Sequence, residues 1–178
     1  MGSFQAMEQL DSRKVRDGYA VDVSVNRYRR ADGTEVTREV VEHPGSVAIL
    51  AYDDEAVYLV RQPREAVEED GLLEIPAGTL EPGEGELECA RRELAEEVGL
   101  AAEQWRLLKR VHTSPGVISE VATIFAATGL STKPGAKQDA DEQIEVVRLP
   151  RAELDAGLEE ITDATTLIAL LLLRCGDL

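Results

Sequence analysis

The chain has 178 residues, 43% of them apolar, and carries 35 acidic against 19 basic side chains for a formal net charge of −16. That length suits one globular domain with its own core, and the lack of any Lys/Arg cluster excludes a nucleic-acid binder, which needs a basic face to displace counterions. The longest apolar run, residues 167–173, is too short to span a bilayer, so no membrane partner is expected.

The N-terminus has no basic stretch followed by an apolar one, so no signal peptide is expected. Residues 1–18 are set apart as a flexible N-terminal segment, and 19–178 as a single domain. Residues 19–30 alternate apolar and polar, which predicts a strand. Asp32-Gly33 then marks a hairpin turn, with 34–42 as the returning strand. Residues 46–52 and 56–62 predict two more strands, and 72–76 another short extended run.

Residues 85–98 have helical periodicity, with Leu87, Ala90, Leu94 and Val98 on one face and Gly99 as the cap. Strands follow at 105–111, 121–127 and 144–149, the last two separated by a polar, flexible stretch at 131–142. Pro150 opens a helix over 151–158. The final helix starts near 162, capped by Thr162 or Asp163, and runs to Arg174. Strands, a helix, strands and then helices imply an α+β fold, with a mixed sheet packed between helices. Two cysteines, Cys89 and Cys175, lack the spacing of a zinc site or redox pair and read as reduced thiols in a cytoplasmic protein.

The segment GTLEPGEGELECARRELAEEVGL, residues 78–100, carries the chemistry. Glu93, Glu96 and Glu97 fall at i, i+3 and i+4, which puts three carboxylates on one helix face. Like charges so close repel unless a cation sits among them, and clustered hard oxygens suit Mg2+ or Mn2+. The apolar stripe lies on the opposite face, so the helix is expected to pack on the sheet and present acid outward. If the substrate is a phosphate ester, so acidic a protein likewise calls for bound divalent metal to hold the phosphates.

The same segment matches, at every fixed position, the Nudix box: Gly78, Glu84, Arg92, Glu93, Leu94, Glu96, Glu97, Gly99 and Leu100. A chance match in a chain this long is on the order of one in a million, and the chain therefore resembles the Nudix hydrolases. The resemblance implies an α/β/α sandwich with a mixed central sheet, here preceded by an N-terminal antiparallel hairpin. It implies metal-dependent cleavage of the pyrophosphate of a nucleoside diphosphate derivative. Glu93 and Glu97 would be metal ligands, Glu96 a ligand or a support for one, and Arg92 would orient the glutamates. Gly78 would let the loop turn tightly. Two or three Mg2+ or Mn2+ ions are implied.

The flanks resemble the ADP-ribose pyrophosphatase group. Leu73-Glu74-Ile75-Pro76-Ala77-Gly78 is similar to its E-x-P-A-G approach, in which the carbonyl of Ala77 also binds metal. Arg61-Gln62-Pro63-Arg64 is similar to its R-Q-x-R strand end and assigns Arg64 to phosphate. Thr79, beside Gly78, joins the substrate set. Pro115 stands sixteen residues after Gly99, the group's usual discriminator. In the loop behind it Ser119 replaces an acid that often contacts the terminal ribose, and Glu120 matches. The strand 38–43 resembles the one that reaches the nucleotide, so Arg38, Glu39 and His43 would contact adenosine or phosphates, often across a homodimer interface.

Residues 142–150 resemble the group's E-x-x-E-V-x-x-L-P pattern, which assigns the general base to Glu142, with Asp139, Asp141 and Glu145 as rivals. The expected reaction is ADP-ribose to AMP and ribose 5-phosphate. Another nucleotide sugar such as GDP-mannose, or a dinucleotide, is the alternative. A non-catalytic ligand sensor is a second, and the complete set of box glutamates argues against it.

Overall fold

The computed structural model describes residues 6–18, 21–133 and 143–176. The chain forms two compact units, one of Met1–Pro44 with His112–Glu120, the other of Gly45–Val111 with Val121–Leu178.

The first unit holds a three-stranded antiparallel sheet in the order β1-β2-β3, with β1 at Glu8–Arg16, β2 at Asp22–Arg29 and β3 at Glu35–Glu42. The predicted hairpin is present: Arg29 faces Glu35, and the turn is closed by Gly33 N–H to Arg30 O at 2.9 Å. Strand β1 falls within residues 1–18, the segment set apart from the domain as flexible. Its nine residues are almost all exposed, so no apolar alternation announces it. Backbone pairing to β2 holds it, helped by Arg29–Glu8 at 2.9 Å and Lys14–Asp22 at 2.5 Å. Such a ladder leaves no hydropathy signal.

The second unit is built on a mixed sheet in the order β10-β5-β4-β9-β8, with β6 paired to β5 and β7 to β4. These strands are β4 (Ser46–Tyr52), β5 (Ala56–Arg64), β6 (Glu69–Glu74), β7 (Ala77–Thr79), β8 (Leu100–His112), β9 (Val121–Thr132) and β10 (Glu145–Pro150). The pairing of β4 with β9 is parallel. The run expected at 72–76 is the end of β6, which stops at Glu74; β7 begins on a different partner after Ile75-Pro76, where proline has no N–H to give a ladder. Strand β9 reaches into the stretch expected to be flexible from 131.

Helices α1 (Glu86–Val98), α2 (Leu154–Glu160) and α3 (Ala164–Cys175) complete the unit. A short 3-10 turn at Arg151–Glu153 occupies the start of the helix expected after Pro150. The side-chain alternation of the sheet sorts its residues between two helical layers. On β4, Val47, Ile49 and Ala51 join Ala90 and Leu94 of α1, with Phe125 and Ala127 of β9. Ala48 and Leu50 point the other way, to Leu59, Ile124 and the α3 residues Ala169, Leu170 and Leu173. Buried on both faces, these strands read as unbroken apolar runs. Each fully buried Leu or Ile contributes about 1.5–3 kcal/mol. The result is the α/β/α sandwich expected from the resemblance.

Candidate active site

The approach to the acidic helix is pinned at three consecutive residues. Ile75 N–H donates to Thr166 Oγ1 at 2.9 Å, Pro76 O accepts from Ile49 N–H at 2.7 Å, and Ala77 N–H donates to Glu97 Oε2 at 2.9 Å. Thr166 is fully buried and its hydroxyl donates in turn to Asp163 Oδ2 at 2.6 Å. Asp163 is also the N-cap of α3, accepting Thr166 N–H at 2.7 Å. Thus α3, β4 and α1 each hold one residue of this segment. The sequence shows Asp163 only as a helix cap and marks Thr166 not at all, because its partner lies 91 residues away.

The acid face does not simply point outward. Glu93 and Glu97 are 9% and 4% exposed, and Glu96 is intermediate. The reason is β7, whose short strand runs beside α1. A Cβ at Gly78 would lie 1.8 Å from Glu93 Oε1. Gly78 has no positive φ, so its function is to make room for the Glu93 carboxylate rather than to permit a tight turn. Gly99, by contrast, does occupy the left-handed region, at φ 71°, and ends α1 through Gly99 N–H to Ala95 O at 3.0 Å. That conformation favours glycine.

Arg92 gathers the acids. Its Nε and Nη2 donate to the two oxygens of Glu84 at 2.9 and 3.0 Å, while Nη1 donates to Glu93 Oε1 at 2.7 Å and Glu96 Oε2 at 3.1 Å. A guanidinium fork is suited to this because its five N–H groups are planar and permanently charged. The bond to Arg92 is the largest cause that drops the Glu84 carboxyl to about 2. Glu84 is a fixed box residue to which the sequence reading gives no task. Here it is the anchor of the arginine that bridges the others. Beside it, Cys89 is buried, and desolvation pushes its thiol up to about 12. It stays a protonated thiol donating to Thr79 O at 3.6 Å. Thr79 itself is exposed, and its carbonyl also accepts from Arg92 Nη2 at 3.3 Å.

Arg64 ends β5, also in the second unit. Its Nε and Nη2 both donate to Glu74 Oε2, at 2.9 and 2.8 Å, and Gln62 Nε2 reaches the same oxygen at 3.3 Å. Burial pushes the Glu74 carboxyl up and Arg64 opposes this.

The remaining substrate candidates lie in the first unit. Arg38 and Glu39 are exposed on β3, and Arg38 Nη1 donates to Thr37 O at 2.7 Å. The loop behind Ser114-Pro115-Gly116 turns, with Val117 N–H and Ile118 N–H both bonded to Ser114 O at 3.0 and 2.9 Å. It then joins the end of β3 through Val41 N–H to Val117 O at 2.8 Å and Ser119 N–H to Val41 O at 3.0 Å. Ser119 Oγ accepts His43 N–H at 2.9 Å. Glu120 lies 3.9 Å from His43 Nδ1 and accepts from Thr113 Oγ1 at 2.5 Å. Arg38, Tyr28, Val40, Pro115 and Ser119 share the walls of a cleft of about 380 Å³. Glu142, with its rivals Asp139 and Asp141, lies outside the described residues. Glu145 is exposed on β10.

A model of the NUDIX domain matches residues 42–168. The chain belongs to the Nudix family. It is 38% identical to the ADP-ribose pyrophosphatase of Bacillus subtilis (strain 168), over 97% of this chain and 92% of that protein. It is 35% identical to the methanol dehydrogenase activator of Bacillus methanolicus, over 99% and 97%. Among solved structures it matches the crystal structure of an ADP compounds hydrolase with a TM-score of 0.82 and 27% identity, covering 98% of this chain and 95% of that one.

Among the described residues, no three His, Cys, Asp or Glu side chains converge as a ready cage. Mg2+ does not need one: it usually keeps waters and takes one or two carboxylates plus substrate phosphate oxygens. The donors on α1 are all hard oxygens, two of the three carboxylates are buried, and the space beside Gly78 is filled by a carboxylate that any side chain there would displace. The donor set of this helix therefore fits a hard divalent cation.

Proposed function

We propose that this Nudix enzyme hydrolyses ADP-ribose to AMP and ribose 5-phosphate in a reaction that depends on Mg2+ or Mn2+. Water adds across the P–O–P bridge, one phosphorus gaining the hydroxyl oxygen and the leaving phosphate taking the proton. The observation that carries this reading is the Ala77–Glu97 contact: it joins the E-x-P-A-G approach to the box in one rigid piece. Likeness to the Bacillus subtilis ADP-ribose pyrophosphatase along nearly the whole chain supports the substrate.

Bound to Glu93, Glu96, Glu97 and the Ala77 carbonyl, a divalent cation supplies charge neutralisation and an activated water. Arg92 keeps Glu93 and Glu96 apart from each other's charge by standing between them. Arg64 supplies a fixed positive charge to a phosphate. Arg38, Glu39, His43, Ser119, Glu120 and Thr79 are the proposed further substrate contacts, on the resemblance of their segments. Glu142 is the proposed base, and Glu142→Gln is expected to cut kcat by about a hundredfold near neutral pH, within the range of general-base effects. An unchanged rate moves the assignment to Asp139, Asp141 or Glu145. We read the chain as a cytoplasmic homodimer, which light scattering on the purified protein checks.

The deciding experiment is a product assay on ADP-ribose, GDP-mannose and a dinucleoside polyphosphate, with Mg2+ and with chelator. AMP and ribose 5-phosphate from ADP-ribose at the highest kcat/KM, abolished by chelation, is the expected result. A preference for GDP-mannose overturns the substrate, and metal-independent turnover overturns the mechanism.

A further inference from the structure

We propose that Glu74 is a positioning residue for the reaction: by holding Arg64 through two nitrogens it places the guanidinium for a substrate phosphate and ties it rigidly to the metal-binding segment. The inference rests on the reading of Arg64 as a phosphate contact.

The geometry is one-sided. Arg64 spends Nε and Nη2 on a single oxygen, Glu74 Oε2, while Nη1 makes no hydrogen bond among the described residues. A guanidinium held through Nε and Nη2 keeps its Nη1 side open to another anion. Arg64 is 41% exposed at its side chain and Glu74 only 10%. The acid is thus the fixed partner and the arginine the accessible one. Gln62 donates to the same oxygen from two residues earlier on β5, so Glu74 is itself held.

The backbone is arranged for this contact. The β5–β6 ladder shifts register between Gln62 and Arg64, and such irregularities re-aim side chains. Stability does not account for a carboxylate here. A buried ion pair roughly breaks even against apolar packing, and Asp163 adds a like charge nearby. What the pair does supply is a link. Glu74 is followed at once by Ile75, Pro76 and Ala77, the three residues pinned by α3, β4 and α1. Arg64 is thereby bound to the segment whose carbonyl belongs to the metal site, fixing the distance between phosphate charge and acid face. Misplacing such a group costs rate or affinity without removing any chemistry.

A double-mutant cycle tests this on the full chain, with Glu74→Gln, Arg64→Ala and both together. It reads binding of inorganic pyrophosphate with Mg2+ by calorimetry and KM and kcat on ADP-ribose, with thermal unfolding as a check on folding. Glu74→Gln is expected to weaken pyrophosphate binding and raise KM by about five- to tenfold, with kcat within about twofold. The double variant should be no worse than Arg64→Ala alone, because residues acting as one unit are not additive. Multiplying effects, a Glu74→Gln protein that behaves as wild type, or a wild type that binds no pyrophosphate overturns the proposal. Should Glu74→Gln not fold, Arg64→Lys decides: it keeps the charge but cannot make the two-nitrogen contact. Loss of pyrophosphate affinity in Arg64→Lys supports the proposal, and wild-type affinity overturns it. Absence of ADP-ribose turnover with an intact pyrophosphate cycle refutes the substrate and leaves the positioning role standing.

Discussion

The two units differ in what they bury. Among the described residues, every buried apolar residue of the core, from Val47 to Leu173, belongs to the second unit, whereas those buried in the first are Ser24 and Asn26. Asn26 Oδ1 even lacks a hydrogen-bond partner among the described residues. The first unit is held by strand ladders and exposed ion pairs, each worth about 1 kcal/mol or less. The second has a close-packed core, into which its charged groups Glu74, Glu93 and Glu97 are set. Chemistry that needs fixed charges belongs in the second unit, where packing holds them.

The largest break in this contrast is expected at Glu97, which is both proposed ligand and the acceptor for Ala77 N–H. Glu97→Gln should lower kcat about a thousandfold or more at saturating substrate and metal, since several kcal/mol of metal-borne stabilisation depend on it. Near-normal turnover would remove the acidic helix from the mechanism. Arg92→Ala comes next. It removes the arginine bonded to Glu84 and Glu93, both mostly buried, and is expected to cost about 2–4 kcal/mol of stability in a denaturant titration. A loss under about 1 kcal/mol would mean the cluster is solvated like a surface pair.

Acid sharpens the same point. The Glu84 carboxyl sits at about 2, well below its ordinary 4.5, so the unfolded chain binds the proton more readily than the folded one. The stability this lends is present above about pH 4.5 and is lost as pH falls toward about 2. Glu84→Gln should flatten the stability profile in that window, and an unchanged slope would count against the Arg92 clamp. The smallest effect is expected in the first unit. Arg38→Ala should raise KM for ADP-ribose by about three- to tenfold, leaving kcat and Tm unchanged, because an exposed strand arginine carries little stability. A fall in Tm would show that the unit depends on this side chain for its fold.

Much of this molecule was open to reading from the chain alone. Residues 78–100 specify the acidic helix, because i, i+3, i+4 spacing and a terminal glycine act locally. The apolar runs of β4, β5 and β9 specify a sheet covered on both faces. What spacing could not show is anything that depends on partners far along the chain. The strand β1 leaves no pattern because it is held by its backbone. Gly78 reads as a turn glycine until Glu93 is seen to occupy the place of its Cβ. Glu84 reads as a motif letter until Arg92 is found clamped to it. Thr166 carries no local signal, and Glu74 reads only as a letter of the E-x-P-A-G approach, yet one fixes Ile75 and the other Arg64. Local spacing names the groups able to do the chemistry, since helical periodicity places carboxylates together within two turns. Which of them are buried, and what holds each in place, follows from the folded chain, since hydrogen bonds and burial are set by segments that meet only on folding.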